Sequence, residues 1–392
     1  MGAVTSGPAE CEDSVWFRHS DSLPAAARSA ARGLAHRIGL LPERAAEVAL
    51  AVSEAATNLR RHAVDGAMVL RVVRTDTEAA LEFVTVDSGP GMADVPAALT
   101  DGYSSDRTLG IGLGAVARLA DAFDLHSLPG RGTVLAARFW NRTPAGRAAA
   151  AAGEPVAAGL TRPMSGQDLC GDAWAVRPVR PAPAATGADL PRPPSAAALE
   201  WSVLTNRAPR PRAGEEPDPA DPAGAFLLMF CDGLGHGPLA ARAASDAVAA
   251  FHRSAAQYPE QVLAELHRVL RSGRGGAIAV ALVEPAAARL TFCGVGNVSA
   301  FVVDTVTGVR RSLPSAPGIV GHQLPPVLHA VRQDLAPRSA VVLHSDGLTD
   351  RWRAADVPGL FAHLPVTAAA LLLREAGVRR DDAGVVVAKG AW

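Results

Sequence analysis

The sequence predicts an α/β protein of two tandem domains, and three observations carry that expectation. Apolar runs of strand length alternate with alanine-rich stretches of helical period. A break rich in Ala, Gly and Pro separates residues 14–140 from residues 160–390. The chain has 392 residues, enough for two domains of ordinary size rather than three. One stretch anchors the second half: Phe226-Leu227-Leu228-Met229-Phe230-Cys231 runs into Asp232-Gly233 and the glycine-rich turn that ends at Gly237. Such a strand carries a carboxylate out of the core and stops it at a rim. The same grammar recurs at 340–347, ending in Asp346-Gly347, and Asp381-Asp382 stands just before a strand at 384–388.

Composition narrows the class. The chain is 48% hydrophobic with a net charge of -1, which gives no electrostatic case for nucleic acid or a membrane surface. No apolar run reaches about 18 residues, and no basic-then-apolar leader opens the chain. Cys11, Cys170, Cys231 and Cys293 are widely spaced, form no CxxC pair and read as free thiols. A cytoplasmic protein is expected.

Residues 1–13 are expected to be disordered. Ser22-Leu23-Pro24 opens a helix that Gly39 ends, and a second helix runs from Pro42 through Arg61. Val48, Val52, Ala55 and Leu59 form its apolar stripe, while Glu54 and Asn58, four apart, share another face. Strands follow at 68–74 and 80–86, the second running into Asp87-Ser88-Gly89-Pro90-Gly91. A polar segment at 101–107 leads to the loop Leu109-Gly110-Ile111-Gly112-Leu113-Gly114, which opens a helix ending near Ala122. Strands at 123–127 and 133–140 flank a turn at 129–132. Residues 141–159 read as a linker, and 178–223, rich in Pro, Ala and acidic residues, as a disordered insertion around a short strand at 199–205. Helices are expected at 240–253 and 259–271, and strands at 277–284, 289–295, 299–304, 340–344 and 385–388.

Nucleotide sites need backbone that can approach phosphates. Glycines permit it, and a helix N-terminus adds a favourable dipole. Gly110, Gly112 and Gly114 before a helix suit this, as the third part of an ordered set: Glu54-x-x-x-Asn58, Asp87-x-Gly89-x-Gly91, the glycine loop, then Gly132-Thr133. This order resembles the GHKL ATPase/kinase superfamily over residues 14–140. The wording at 101–104, 109–114 and 118–123 is similar to the RsbT-like anti-sigma-factor switch kinases. The resemblance implies a two-layer α/β sandwich that binds ATP with Mg²⁺. Asn58 would hold the Mg²⁺, Asp87 would accept a hydrogen bond from the adenine amino group, and Thr133 would support it through water. Gly110, Gly112 and Gly114 would cover the phosphates, and Glu54 would act as general base. His62 reads as structural. Arg107 reads equally as a lid residue for the γ-phosphate and as a solvated loop arginine.

Hydrolysis of a phosphoester needs a nucleophile and charge neutralisation, which two hard cations about 3.5–4 Å apart supply together. Carboxylates brought close repel one another unless a cation lies between them. Asp172, Asp232, Asp346 and Asp381 argue for such a site if they converge. Ser165-Gly166-Gln167-Asp168-Leu169-Cys170-Gly171-Asp172, Asp232-Gly233-x-Gly235-His236-Gly237, Ser345-Asp346-Gly347-Leu348-Thr349-Asp350 and Asp381-Asp382 resemble, in order, the motifs of SpoIIE-type, RsbX-like phosphatases of the PPM class. The resemblance implies an α-β-β-α sandwich over 160–390 holding two Mn²⁺ or Mg²⁺. Asp232 would bridge both ions and be the central catalytic residue, with the Gly233 carbonyl on one ion and Asp346 and Asp381 completing the other. Asp172 would bind directly or through water. Gly384 departs from the Thr usual there. His236 reads as a cap of the next helix, His344 as packing, and Gly294-x-Gly296-Asn297 as a turn without chemistry.

Together these imply a bifunctional partner-switching regulator. Its Ser/Thr kinase half and phosphoserine/phosphothreonine phosphatase half would act on STAS-domain anti-sigma antagonist-type proteins, within a sigma-factor regulatory complex. The alternative is a non-catalytic ATP-binding sequestration module fused to a phosphatase. A homodimer is compatible with the sequence.

Overall fold

The computed structural model describes residues 10–75, 77–100, 112–179, 224–378, 380–390 and 392. The first half runs β1 (Glu10–Arg18), α1 (Leu23–Arg37), α2 (Pro42–His62), β2 (Ala67–Arg74), β3 (Ala79–Val86), the single turn α3 (Val95–Ala98), α4 (Gly112–Leu119), β4 (Ala122–Ser127) and β5 (Thr133–Phe139). Its strands form one antiparallel sheet in the order β1-β2-β3-β5-β4. Helices α1, α2 and α4 cover one face. The α2 stripe of Val48, Val52, Ala55 and Leu59 packs there on Met68, Leu70, Leu81, Phe83 and Leu135, as the side-chain periods of 3.6 and 2 require. The expectation of disorder through residue 13 is corrected at its end. β1 starts at Glu10, which pairs with Arg74 and satisfies a β2 edge that would otherwise stay unpaired.

The stretch 141–159, expected as a linker, contains α5 (Pro144–Ala151) and opens β6 (Ala157–Arg162). Thr143 caps α5, its hydroxyl accepting the Gly146 N–H at 3.0 Å. Then come β7 (Asp172–Pro178), β8 (Phe226–Gly233), α6 (Pro238–Arg253), α7 (Pro259–Leu270), β9 (Gly276–Glu284), β10 (Arg289–Val295), β11 (Ser299–Asp304), β12 (Arg310–Ser312), β13 (Val331–Asp334), β14 (Ser339–His344), α8 (Pro365–Ala376) and β15 (Ala383–Lys389). Two five-stranded sheets, β13-β10-β9-β8-β7 and β12-β11-β14-β15-β6, stack face to face. Phe226, Leu228 and Phe230 meet Val341, Leu343 and Val386 between them. Helices α6 and α7 cover the first sheet and α8 the second, giving the α-β-β-α order. The strand expected at 199–205 lies outside the described residues.

One helix joins the halves. Every residue of α8 from Pro365 to Leu373 is buried. One side packs on Leu160, Val342, Val385 and Val387, the other on Val69, Val84, Val134 and Ala136 of the first-half sheet. Those four residues alternate with the ones facing α2, so both faces of that sheet are covered and its strands are buried almost end to end. The layers therefore run helices, sheet, α8, sheet, sheet, helices. Polar bonds reinforce the junction. The Trp16 indole N–H donates to Thr161 O at 2.8 Å, and Arg71 Nη1 to Gly159 O at 2.5 Å. The Asp124 carboxylate takes the Leu364 N–H at 2.6 Å and meets His363 Nδ1 at 2.7 Å. No helix among the described residues is long and apolar enough to cross a membrane.

Candidate functional site

The first candidate site lies where α2 meets the ends of β3 and β5. Glu54 and Asn58 are half-buried on α2. The loop after β3 lies against the end of that helix: the Ser88 N–H donates to Val64 O at 2.9 Å, and a Cβ on Gly89 would stand 2.6 Å from His62 O. Asp87, 8% exposed, donates its N–H to Thr133 O at 3.0 Å and accepts the Gly89 N–H on Oδ1 at 2.7 Å. Burial pushes its carboxyl above the usual range, against the Gly89 N–H and the Arg374 charge. Gly91 sits in the same loop. Gly132 has φ +76° and lies so close that a Cβ would stand 2.0 Å from Asp87 O, so any other residue there would displace Asp87. The Thr133 hydroxyl pairs with Ser127 Oγ at 2.9 Å, which also accepts the Met92 N–H at 2.8 Å. Ser127 was not singled out in the sequence. Gly112 opens α4, and Gly114 packs so tightly that a Cβ would stand 2.3 Å from Leu99 O. Gly110 and Arg107 lie outside the described residues.

The second candidate site is the rim of the stacked sheets. Asp172 opens β7 and Asp232 nears the end of β8, and the register sets them directly opposite each other. Like charges in that position are destabilising on their own. β14 and β15 run antiparallel beside each other, so Asp346, just past β14, and Asp381, just before β15, reach the same end. Burial raises the Asp172 carboxyl well above the usual range, and the Asp232, Asp382 and Asp346 charges add to it. Asp232 is pushed up to about 7 by burial and by Asp346, Asp381 and Asp382. Asp346 is raised by burial and then by Asp381. Carboxylates crowded in this way repel one another unless a cation lies between them. Among the described residues no three His, Cys, Asp or Glu side chains close a ready-made metal cage. A hard divalent cation does not need one, because it fills its shell with water and backbone carbonyls. The donor set therefore fits Mn²⁺ or Mg²⁺. Gly233 holds the corner: its N–H donates to Gly171 O at 2.9 Å, and a Cβ would stand 2.6 Å from Ala240 O.

Three residues of this rim carry no role of their own in the sequence motifs. Asn297, expected to carry no chemistry, donates from Nδ2 to Asp346 Oδ2 at 2.6 Å. Ser345 Oγ donates to Asp172 Oδ2 at 2.5 Å and accepts the Gly384 N–H at 3.0 Å. A Cβ on Gly384 would stand 2.8 Å from the Phe230 ring and 3.0 Å from Asp172, so glycine there leaves Asp172 room. Asp382, 4% exposed, accepts the Met164 and Gly171 N–H groups at 2.7 Å each. It thereby ties the loop before Asp172 to the turn bearing Asp381. The expected cap role of His236 is corrected. Gly237, at φ +77°, is the N-cap of α6 without a side-chain cap, and His236 is exposed. His344 does pack, fully buried between Phe301 and Trp352. Cys231 and Cys293 are buried free thiols, and Cys170 is half-buried. Asn297→Ala is expected to raise the half-saturating Mn²⁺ concentration about tenfold, as loss of a ligand-orienting bond does. Because Asn297 is exposed, the unfolding midpoint should stay put, and calorimetry beside a metal titration checks both.

A family model described as a histidine kinase-like ATPase domain matches residues 19–139. The serine/threonine-protein kinase RsbT of Bacillus subtilis (strain 168) is 35% identical over 117 residues, which cover 30% of this chain and 88% of RsbT. The chain belongs to the RsbT-like family of histidine kinase-like ATPases. A second family model, stage II sporulation protein E (SpoIIE), matches residues 222–388. The chain is thus a fusion of an RsbT-like domain with a SpoIIE-type domain, and by class a serine/threonine protein phosphatase with a kinase-type partner domain. Solved structures with similarity include a chain from a bacterial stressosome study, at 26% identity and TM-score 0.43, covering 59% of this chain and 98% of that one. Another is the Bacillus subtilis SpoIIE phosphatase domain with a fragment of its regulatory domain, at 10% identity and TM-score 0.40, covering 80% of each chain.

Proposed function

We propose that the RsbT-like domain transfers the ATP γ-phosphoryl group to a Ser or Thr of a STAS-domain antagonist protein. The SpoIIE-type domain removes phosphate from the same protein or a relative. The observation that carries this reading is the shared rim of Asp172, Asp232, Asp346 and Asp381, where burial and then neighbouring carboxylate charge lift the carboxyls of Asp172, Asp232 and Asp346. These four and the Gly233 carbonyl would hold Mn²⁺ or Mg²⁺, which when bound neutralises phosphoryl charge and supplies an activated water. Ser345 and Asp382 hold Asp172 and its loop in place, and Asn297 aims Asp346. In the other domain, Asp87 reads the adenine amino group, backed by Thr133. Asn58 holds the Mg²⁺ that accompanies ATP, with Gly112 and Gly114 opening the helix beside the phosphates. Glu54 takes the proton of the acceptor hydroxyl. Both sites on one chain raise each activity's effective concentration near a shared target.

The test is phosphoryl transfer from labelled ATP to a STAS-domain protein by the full chain, then loss of the label when Mn²⁺ is added. Glu54→Ala is expected to lower transfer at least about 100-fold. Nucleotide affinity should change less than about threefold, because a general base contributes to the transition state rather than to ground-state binding. Hydrolysis of a model phosphoester should persist. Nucleotide binding without any transfer in the native chain would instead make the domain a sequestering module.

A further inference from the structure

The last turn of α8 and the two residues after it touch both candidate sites. On one side Arg374, its side chain 6% exposed, donates from Nη1 to Asp87 O at 3.2 Å. This is the same carbonyl against which Gly132 is packed. Arg374 is held in that pose by Glu375, whose Oε1 accepts its Nε and Nη2 at 3.1 and 2.8 Å. Glu375 Oε2 in turn meets Arg131 Nη2 at 3.1 Å, in the turn just before Thr133. The nucleotide loop of one domain is thus braced by an arginine of the other.

On the other side the same turn holds the metal-rim loop. The Thr349 N–H donates to Ala376 O at 2.9 Å, and the Val378 N–H to Gly347 O at 2.7 Å. Gly377 and Leu348 form an isolated bridge. Gly347 follows Asp346 directly, and a Cβ on it would stand 1.9 Å from Asp382 O. Val378 begins the short segment that reaches Asp381. The opposite end of the helix is anchored by Asp124 on the Leu364 N–H, and its body is clamped between two sheets. Packed interiors pass displacement on rather than absorb it. A shift of the Asp87 loop is therefore felt first at Arg374, and one helical step later at Gly347.

We infer that Arg374 is a positioning residue supplied to the nucleotide site by the phosphatase domain, and that through it nucleotide affinity and metal affinity are linked. The inference rests on the site assignments proposed above. It differs from them in claiming energy shared between the sites, and such linkage is reciprocal.

The test titrates the full chain with a fluorescent ATP analogue, with saturating Mn²⁺ present throughout so that chelation by the nucleotide is constant. The native chain is compared with Asp232→Asn, which lacks the central rim carboxylate. Linkage predicts dissociation constants that differ at least about fivefold between the two. With Arg374→Ala, affinity itself weakens and the same comparison gives a ratio near one. Arg374→Lys, which keeps a donor, restores part of the ratio. Glu375→Gln, a half-exposed change that leaves the helix core untouched, lowers the ratio without removing Arg374. Equal affinities in the native chain and Asp232→Asn overturn the linkage while leaving the nucleotide site standing. Failure of the analogue to bind either protein overturns the nucleotide-site assignment and the linkage with it. A ratio that survives Arg374→Ala overturns the role of Arg374.

Discussion

Asp232→Asn is expected to lower phosphoester hydrolysis by more than about 100-fold and, in metal-free buffer at pH 8, to make the chain more stable. Hydrolysis falls because, on the function proposed above, the carboxylate that faces Asp172 and feels the charges of Asp346 and Asp381 would be the central metal donor. Even a partner one step removed from a metal is worth 10–100-fold. Stability rises because ionised Asp232 is an unfavourable group in the folded chain without a cation. Its folded carboxyl titrates near 7 against 3.8 when unperturbed. The folded state holds its proton more tightly, so the unfavourable contribution is absent below the unfolded pKa and complete once pH passes the folded one. The gain from Asn should therefore be about 2 kcal/mol at pH 8, discounted for the partial exposure of the group, and should vanish near pH 4. Added Mn²⁺ reverses the order, because the native chain gains binding energy that the variant lacks. Thermal unfolding at the two pH values, with and without Mn²⁺, checks all three signs. A variant that melts below the native chain in metal-free buffer at pH 8 would count against the crowded-carboxylate account.

The second large effect is expected at Glu82. It stands in a row with Arg71 and Arg138, which the register places opposite it on β2 and β5. All three are essentially buried. Glu82 Oε2 accepts from Arg71 Nε at 2.5 Å, and Oε1 from Arg138 Nε and Nη2 at 2.9 and 2.7 Å. Burial alone would raise the Glu82 carboxyl, but Arg138 and Arg71 outweigh it and hold it below the usual range. Glu82→Ala leaves two guanidinium groups without their shared anion in a dry interior. The expected cost is about 3–5 kcal/mol, measured by denaturant unfolding. Replacing the row by apolar residues of similar volume, together with Glu154, which Arg138 Nη1 also meets at 2.8 Å, should recover most of it, because the ion pairs are needed as a unit. The native contribution is complete above the unfolded pKa of Glu82 and is lost as pH falls through the lowered folded value. Acid should therefore loosen the link to Gly159, which Arg71 also holds.

The rim carboxylates could be read in the sequence because each ends a run of strand residues or precedes one, and a strand delivers its last side chain to a predictable edge. Helix α2 was equally readable, since one wet face and one dry face leave a stripe. Helix α8 left no such trace. Ala368-Ala369-Ala370-Leu371-Leu372-Leu373 is apolar all round because both sides are covered, so the periodic signal disappears. Asn297 and Ser345 were hidden for a different reason. They are ordinary turn residues, and their partners Asp346 and Asp172 lie 49 and 173 positions away. Asp382 illustrates a third limit. In Asp381-Asp382 the two side chains are chemically identical, and only the fold turns one inward onto backbone N–H groups.

The burial of α8 between two sheets bears on how the halves can be studied apart. Severing the chain between residues 141 and 156 would strip Val69, Val84, Val134 and Ala136 of their cover and bare an oily patch on each fragment. An RsbT-like half made alone would then be prone to clump, and weak activity in it would say little about its chemistry. Produced together in one cell, the two pieces should recombine by themselves, since the helix and the sheet that receives it hold together without a peptide bond between them.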